Sequence, residues 1–219
     1  MLKKLLLFSI AMFAMLGFAH GHAVNYALSG ATNAEVFAYY ARLGFHHIVP
    51  YGIDHVLFVV ALCLGTHTAK NIITQVSAFT VAHTVTLILS MQNVLEVSSA
   101  LVEPLIAFSI VCLAAENYWL PNAKNWRPAL VFIFGLLHGM GFAGALSETG
   151  LPPDGFYTAL FSFNIGVEAG QLAIILLLVL AFQLMHKNIK RAVNPIKLAG
   201  NIAIALVAMC WFFQRILFS

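Results

Sequence analysis

"HHIVPYGIDH", residues 46–55, opens one of the most apolar runs of the chain, yet it holds three imidazoles, a carboxylate, a proline and a glycine. The next ten residues, "VLFVVALCLG", carry no charge at all. About twenty mostly apolar residues suffice to cross ~30 Å of hydrocarbon, so residues 47–66 read as a membrane span with ionisable groups in its outer part. On a straight helix His47 and Asp54 would share a face but stand about 10 Å apart. Pro50 lacks a donor and Gly52 accepts unusual dihedrals, so the segment is free to kink or to enter as irregular backbone.

The rest of the chain fits the same class. Of its 219 residues 61% are hydrophobic and only 9% charged, with a mean hydropathy of +0.91, far from the roughly 25% charge of a soluble domain. Further windows of spanning length fall at 72–91, 101–119, 129–147, 158–184 and 197–217. The expected fold is therefore all-α and polytopic, with six transmembrane helices over residues 47–219. The net charge of +3 forms no basic stripe, which argues against nucleic acid as a partner. Cys63, Cys112 and Cys210 lie singly in separate apolar runs and read as small core residues.

The amino terminus has Lys3-Lys4, apolar residues to Phe18, then small residues around Ala19 and Ala23, the pattern of a signal peptide over residues 1–23 cleaved after Ala19 or Ala23. Cleavage after Ala19 would leave His20-Gly21-His22 at the new terminus. A free amine with His22 at position three is a tetragonal ligand set, an external capture site in which His20 and His22 take part. Residues 24–46 read as an external amphipathic helix, with Ala34, Phe37, Ala38, Ala41 and Phe45 at helical spacing beside Asn33, Glu35 and Arg42. Lys70, Lys124, Arg127, Lys187, Lys190, Arg191 and Lys197 follow spans one, three and five, whereas the alternate connections hold only acidic charge. The positive-inside rule then puts the mature amino and carboxyl termini on the outer side.

Ionisable groups inside a bilayer cost at least ~2.5–3.5 kcal/mol each on insertion scales, so they face a protein interior and serve a pathway or a site. At ~1.5 Å of rise per residue, Asp54 lies about 10 Å and Glu168 about 15 Å from the outer end of their spans. His83 lies about 16 Å and His138 about 14 Å from the inner end. Imidazole and carboxylate from four spans thus converge in depth, and a shared cation explains the coincidence. The expected ligands are His47, Asp54, His55, His83, His138 and Glu168. Asn164, Glu168 and Gln171 form one stripe on span five and Thr80, His83 and Thr84 another on span two, so Asn164, Gln171 and Thr84 are expected to orient the ligands. Imidazole with carboxylate suits nickel, cobalt, zinc, copper or iron, and no thiolate set exists. Glu103 and Glu116, near the ends of span three, read as interfacial, with an outer entrance as the alternative place for Glu103, and His67 and His186 read as solvated.

With these residues identified, the chain resembles the HupE/UreJ family of small bacterial membrane proteins, particularly its second branch. The blocks that carry the likeness are "LGFHHIVPYGIDHVLFVVAL", "FTVAHTVTLILS", "VEPLIAFSIVCLAAEN", "FGLLHGMGFAGAL" and "FNIGVEAGQL". The resemblance implies a nickel or cobalt permease of the bacterial inner membrane, linked to hydrogenase or urease maturation, with the family's Asp-His pair on Asp54 and His55 and its preceding histidine on His47. The hydrogenase-linked branch tends to a His-Pro start and a tighter interval, where this chain has a longer insertion containing Pro50.

Three mechanisms use the same side chains. A permease would pass a divalent transition metal, nickel, cobalt, zinc or copper, inward past His47, with proton-linked uptake because bound imidazoles must be neutral. An intramembrane hydrolase would hold zinc with an open position and use Glu168 or Asp54 as base, although no HExxH pair or nucleophile elbow occurs. An accessory or sensor protein would bind without moving ions. The expected partners are the metal ion, the lipid bilayer and further copies of the chain in a homo-oligomer.

Overall fold

The computed structural model describes residues 30–66, 68–119, 126–152 and 155–218. The expected signal segment, His20, His22 and His67 lie outside the described residues. Among the described residues seven α-helices follow one another: α1 (Asn33–Ile48), α2 (Ile53–Gly65), α3 (Ala69–Met91), α4 (Ser99–Trp119), α5 (Arg127–Thr149), α6 (Phe156–Asn188) and α7 (Val193–Phe218). No strand occurs among the described residues. Each of α3 to α7 contains a stretch long and apolar enough to cross a membrane, and α1 with α2, bent by 67° between them, meets the same test only as a pair. Span one is thus not one straight helix. The 13 residues of α2 reach only ~20 Å at helical rise.

The helices associate in pairs, and small residues decide where. Helix α1 begins with a reciprocal cap, Thr32 N–H donating to Glu35 Oε2 at 2.8 Å and Glu35 N–H to Thr32 Oγ1 at 3.4 Å. It buries Val36, Tyr40, Gly44 and Ile48, a stripe at i, i+4 spacing that lies along the first half of α6. Gly44 meets the Phe163 carbonyl, Gly166 the Ala41 carbonyl, and Gly170 the side chain of Ile48. Val36 lies beside Gly155, so the two helices run parallel. The periodic set Ala34, Phe37, Ala38, Ala41 and Phe45 is not this docking stripe: Ala34, Phe37 and Ala38 stay exposed. Close backbone approach through glycine outweighs side-chain bulk in choosing the docking face.

Helices α3 and α5 also run parallel, with Gly135 against Phe79 and Gly139 against the His83 carbonyl, and the Thr86 hydroxyl donates to the Leu136 carbonyl at 2.9 Å. Helices α4 and α7 run antiparallel, Phe108 meeting Phe212 near one end and Asn117 donating to Asn201 Oδ1 at 2.8 Å near the other. Short α2 threads among the pairs and buries His55, Phe58, Val59, Ala61, Leu62, Cys63 and Leu64. The outer faces of α6 and α7 expose Leu176, Leu180, Leu184, Leu206, Phe213 and Leu217, the apolar belt of a helix bundle solvated by lipid.

The carboxyl-terminal end of α2 is closed by a polar knot. Arg127 Nη1 lies 3.2 Å from Glu116 Oε2, both side chains 5% exposed, and donates to the Gly65 carbonyl at 3.2 Å. Asn117 donates to the Ala61 carbonyl at 2.8 Å. The Gly65 carbonyl, last of α2, has no intrahelical donor and finds one in Arg127. Glu116, expected at an interface, is buried instead, because a basic partner from the start of α5 reaches it. Glu103 is exposed, His186 is exposed, and the three cysteines are free thiols, Cys63 buried, Cys112 half-buried and Cys210 exposed.

Candidate metal centre

The break between α1 and α2 makes the site. His47 ends the first helix and His55 begins the second, eight positions on, yet their ring centroids are 4.7 Å apart. The chain turns back at Gly52, whose missing Cβ would overlap the His47 carbonyl, so glycine is required for this turn. Helix α3 brings His83 to 5.9 Å from His55 and 6.5 Å from His47, and α5 brings His138 to 4.9 Å from His55, centroid to centroid.

Nitrogens of His47, His55 and His83 all lie within 4.8 Å of one another. Two metal–nitrogen bonds of ~2.0–2.1 Å span about 4 Å at most, so small turns of the imidazoles bring all three onto one ion. His47 Nε2, His55 Nε2, both His83 nitrogens and His138 Nε2 are buried without a hydrogen-bond partner. Buried polar atoms of this kind are costly, and a cation satisfies them together. His138 is already oriented, its Nδ1 2.8 Å from the Phe134 carbonyl.

The walls are aromatic. Phe142 lies 3.7 Å from His47 and stacks on Phe163 at 4.8 Å and 11°. Phe58 and Phe79 flank His138 at 5.1 Å and 4.9 Å. These aromatic walls limit competition from water and strengthen any charge-dependent bond beside them.

The carboxylates take other positions. Asp54 faces Arg215, with Nη2 to Oδ2 at 2.8 Å. Both line a cavity of about 290 Å³ that His47, His55, Glu103 and His138 also line. Arg215 was invisible as a site residue in the sequence reading, but it is the only cation between residues 198 and 219. A lone charge in an apolar span demands a counter-charge, and that signal points to it. Glu168 is half-buried on α6, between Asn164 and Gln171. The Thr84 hydroxyl donates to Asn164 Oδ1 at 2.7 Å, and the Thr80 hydroxyl to Gln171 Oε1 at 3.0 Å. Asn164, Gln171 and Thr84 therefore build a polar seam between α3 and α6 beside His83. Toward the other end of α3, Gln75 donates to Thr66 Oγ1 at 3.3 Å. Thr66 lines a second cavity, about 300 Å³, with Cys63, Ile72, His186 and Lys197.

No curated protein and no solved structure matches the chain significantly. A family model described as HupE / UreJ protein matches residues 22–215. That match takes in α1 to α6, nearly all of α7 and every histidine of the cluster, so the chain belongs to the HupE/UreJ family.

Proposed function

We propose that this protein carries a divalent transition metal ion, nickel or cobalt foremost and zinc or copper in the same ligand class, across the bilayer, with His47, His55, His83 and His138 as its central binding station. The observation that carries this reading is the trio of imidazoles whose nitrogens lie within 4.8 Å of one another inside a bundle of apolar helices. Imidazole is the donor that separates these metals from magnesium and calcium. The nickel and cobalt transport associated with the HupE/UreJ family supports the choice of cargo.

In this reading the cavity at Asp54 receives the ion and the histidines strip its water. The seam of Thr84, Asn164, Thr80 and Gln171, with Glu168 on the same stripe, leads it toward the cavity at Thr66. Asp54 and Glu168 act as the flanking carboxylates. The membrane is the bacterial inner membrane, both mature termini lie outside, and cleavage after Ala19, rather than after Ala23, leaves His20 and His22 there to capture metal.

Uptake of nickel by liposomes holding the purified protein tests the proposal, with His55→Ala as the control. Accumulation in the wild type and its loss in the variant is the expected result. Failure to accumulate nickel, cobalt, zinc or copper beyond protein-free vesicles ends it.

A further inference from the structure

A cation transporter that seats an arginine in the cavity leading to its ligands poses a problem, since a fixed positive charge repels an arriving divalent ion. We infer that Arg215 is a tethered counter-ion of Asp54, held in place until a metal able to bind both Asp54 and the neighbouring imidazoles displaces it, and that this exchange sets which cations are admitted. The inference rests on the metal-binding reading above.

The geometry makes Arg215 well held but replaceable. Nη2 bonds Asp54 on α2 at 2.8 Å, Nη1 donates to the Glu103 carbonyl on α4 at 3.0 Å, and the guanidinium lies 5.7 Å from the Trp211 ring on its own helix. The two charged partners are 23% and 25% exposed in their side chains. The other arginine–carboxylate pair among the described residues, Arg127 with Glu116, has the same chemistry but only 5% exposure on each side. A sealed pair is costly to open because each charge would be left uncompensated. A pair that lines a cavity leaves its charges better solvated on opening, so it exchanges more readily than a sealed one.

Position gives the exchange its selectivity. Asp54 precedes His55 directly in the chain, and its carboxylate lines the same cavity as His47, His55 and His138. Magnesium or calcium arriving there gains carboxylate oxygens alone, from Asp54 and Glu103, and must displace a guanidinium to reach Asp54. Nickel, cobalt, zinc or copper gains the imidazoles as well. Arg215 thus imposes the same penalty on every cation, and only those with affinity for nitrogen overcome it, which is discrimination by a built-in competitor.

The test is nickel titration of the full-length purified protein in lipid nanodiscs, alone and against millimolar magnesium or calcium. Arg215→Gln is expected to bind nickel about tenfold tighter, the factor of one charge-assisted bond, and to become sensitive to magnesium. Arg215→Lys is expected to recover most of the rejection of magnesium. In an Asp54→Asn background the Arg215→Gln substitution is expected to change nothing, because its effect runs through that carboxylate. An Arg215→Gln protein with wild-type nickel affinity and magnesium rejection overturns the inference, as does an effect that persists without Asp54. Absence of nickel binding in the wild type removes the histidine station itself, a distinct failure that takes the inference with it. Should Arg215→Gln not fold, nitrogen-15 spectra of the wild type decide: on adding zinc, the guanidinium signals of Arg215 should move while those of Arg127 stay. Unmoved Arg215 signals overturn the exchange.

Discussion

His138 Nδ1 stands 2.8 Å from the carbonyl oxygen of Phe134, one turn earlier on α5. A carbonyl only accepts, so Nδ1 carries the proton and Nε2 keeps its lone pair in the buried space beside His55. Backbone thus fixes the tautomer, as it does for ligand histidines generally. His138→Ala is expected to lower nickel affinity by at least about tenfold, and His55→Ala by about a hundredfold, measured by calorimetry with metal analysis. Unchanged metal content in both proteins would exclude the cluster as the binding station.

The contact of α1 with α6 holds His47 in place through Gly44 and Gly166, each against the partner's backbone. Backbone cannot move aside as a side chain can. Gly166→Val should therefore destabilise the protein by ~1–3 kcal/mol and weaken nickel binding although no ligand is touched. Thermal unfolding in detergent reads the first effect, and a midpoint equal to the wild type's would contradict it.

At the carboxyl-terminal end of α2, breaking the sealed pair should be more damaging than removing it. Glu116→Ala leaves Arg127 charged and buried, at an expected loss of ~3–5 kcal/mol. The double variant Glu116→Leu with Arg127→Met should recover a large part of that. A double variant no more stable than the single one would show that the Gly65 and Asn117 bonds of Arg127, not its ion pair, hold this end together.

Gln171 separates binding from movement. It accepts from Thr80, three positions before His83 on α3, is not among the residues lining the Asp54 cavity and is almost wholly buried. Gln171→Leu should leave nickel affinity in detergent near that of the wild type and slow liposome uptake about fivefold, the factor of a ~1 kcal/mol bond. Equal uptake rates would take the α3–α6 seam out of the route.

Much of this was legible in the sequence. The windows 72–91, 101–119, 129–147, 158–184 and 197–217 sit within a few residues of α3 to α7, because hydropathy over twenty residues reports the length of hydrocarbon crossed. The meeting of His55, His83 and His138 was legible as well, since helical rise converts position in a span into depth. Side-chain partners from distant segments were not. Asp54 and Arg215 are 161 positions apart, and no local period connects them. Glu116 and Arg127 are near in sequence, yet they belong to different helices, and proximity to a span end reads as exposure. The docking stripe of α1 was missed because hydropathy weights large side chains, whereas Gly44 chose the face.

Each imidazole of the trio rides on a different helix pair or on the short helix between them: His47 with α1 and α6, His83 with α3 and α5, and His55 on α2. An ion that touches all three is a rivet through separately assembled plates. Its binding energy then adds directly to cohesion of the whole bundle, by about 2.7 kcal/mol at a hundred times its dissociation constant. The loaded protein should melt later than the empty one as a single unit, and chelation should loosen all three plates at once.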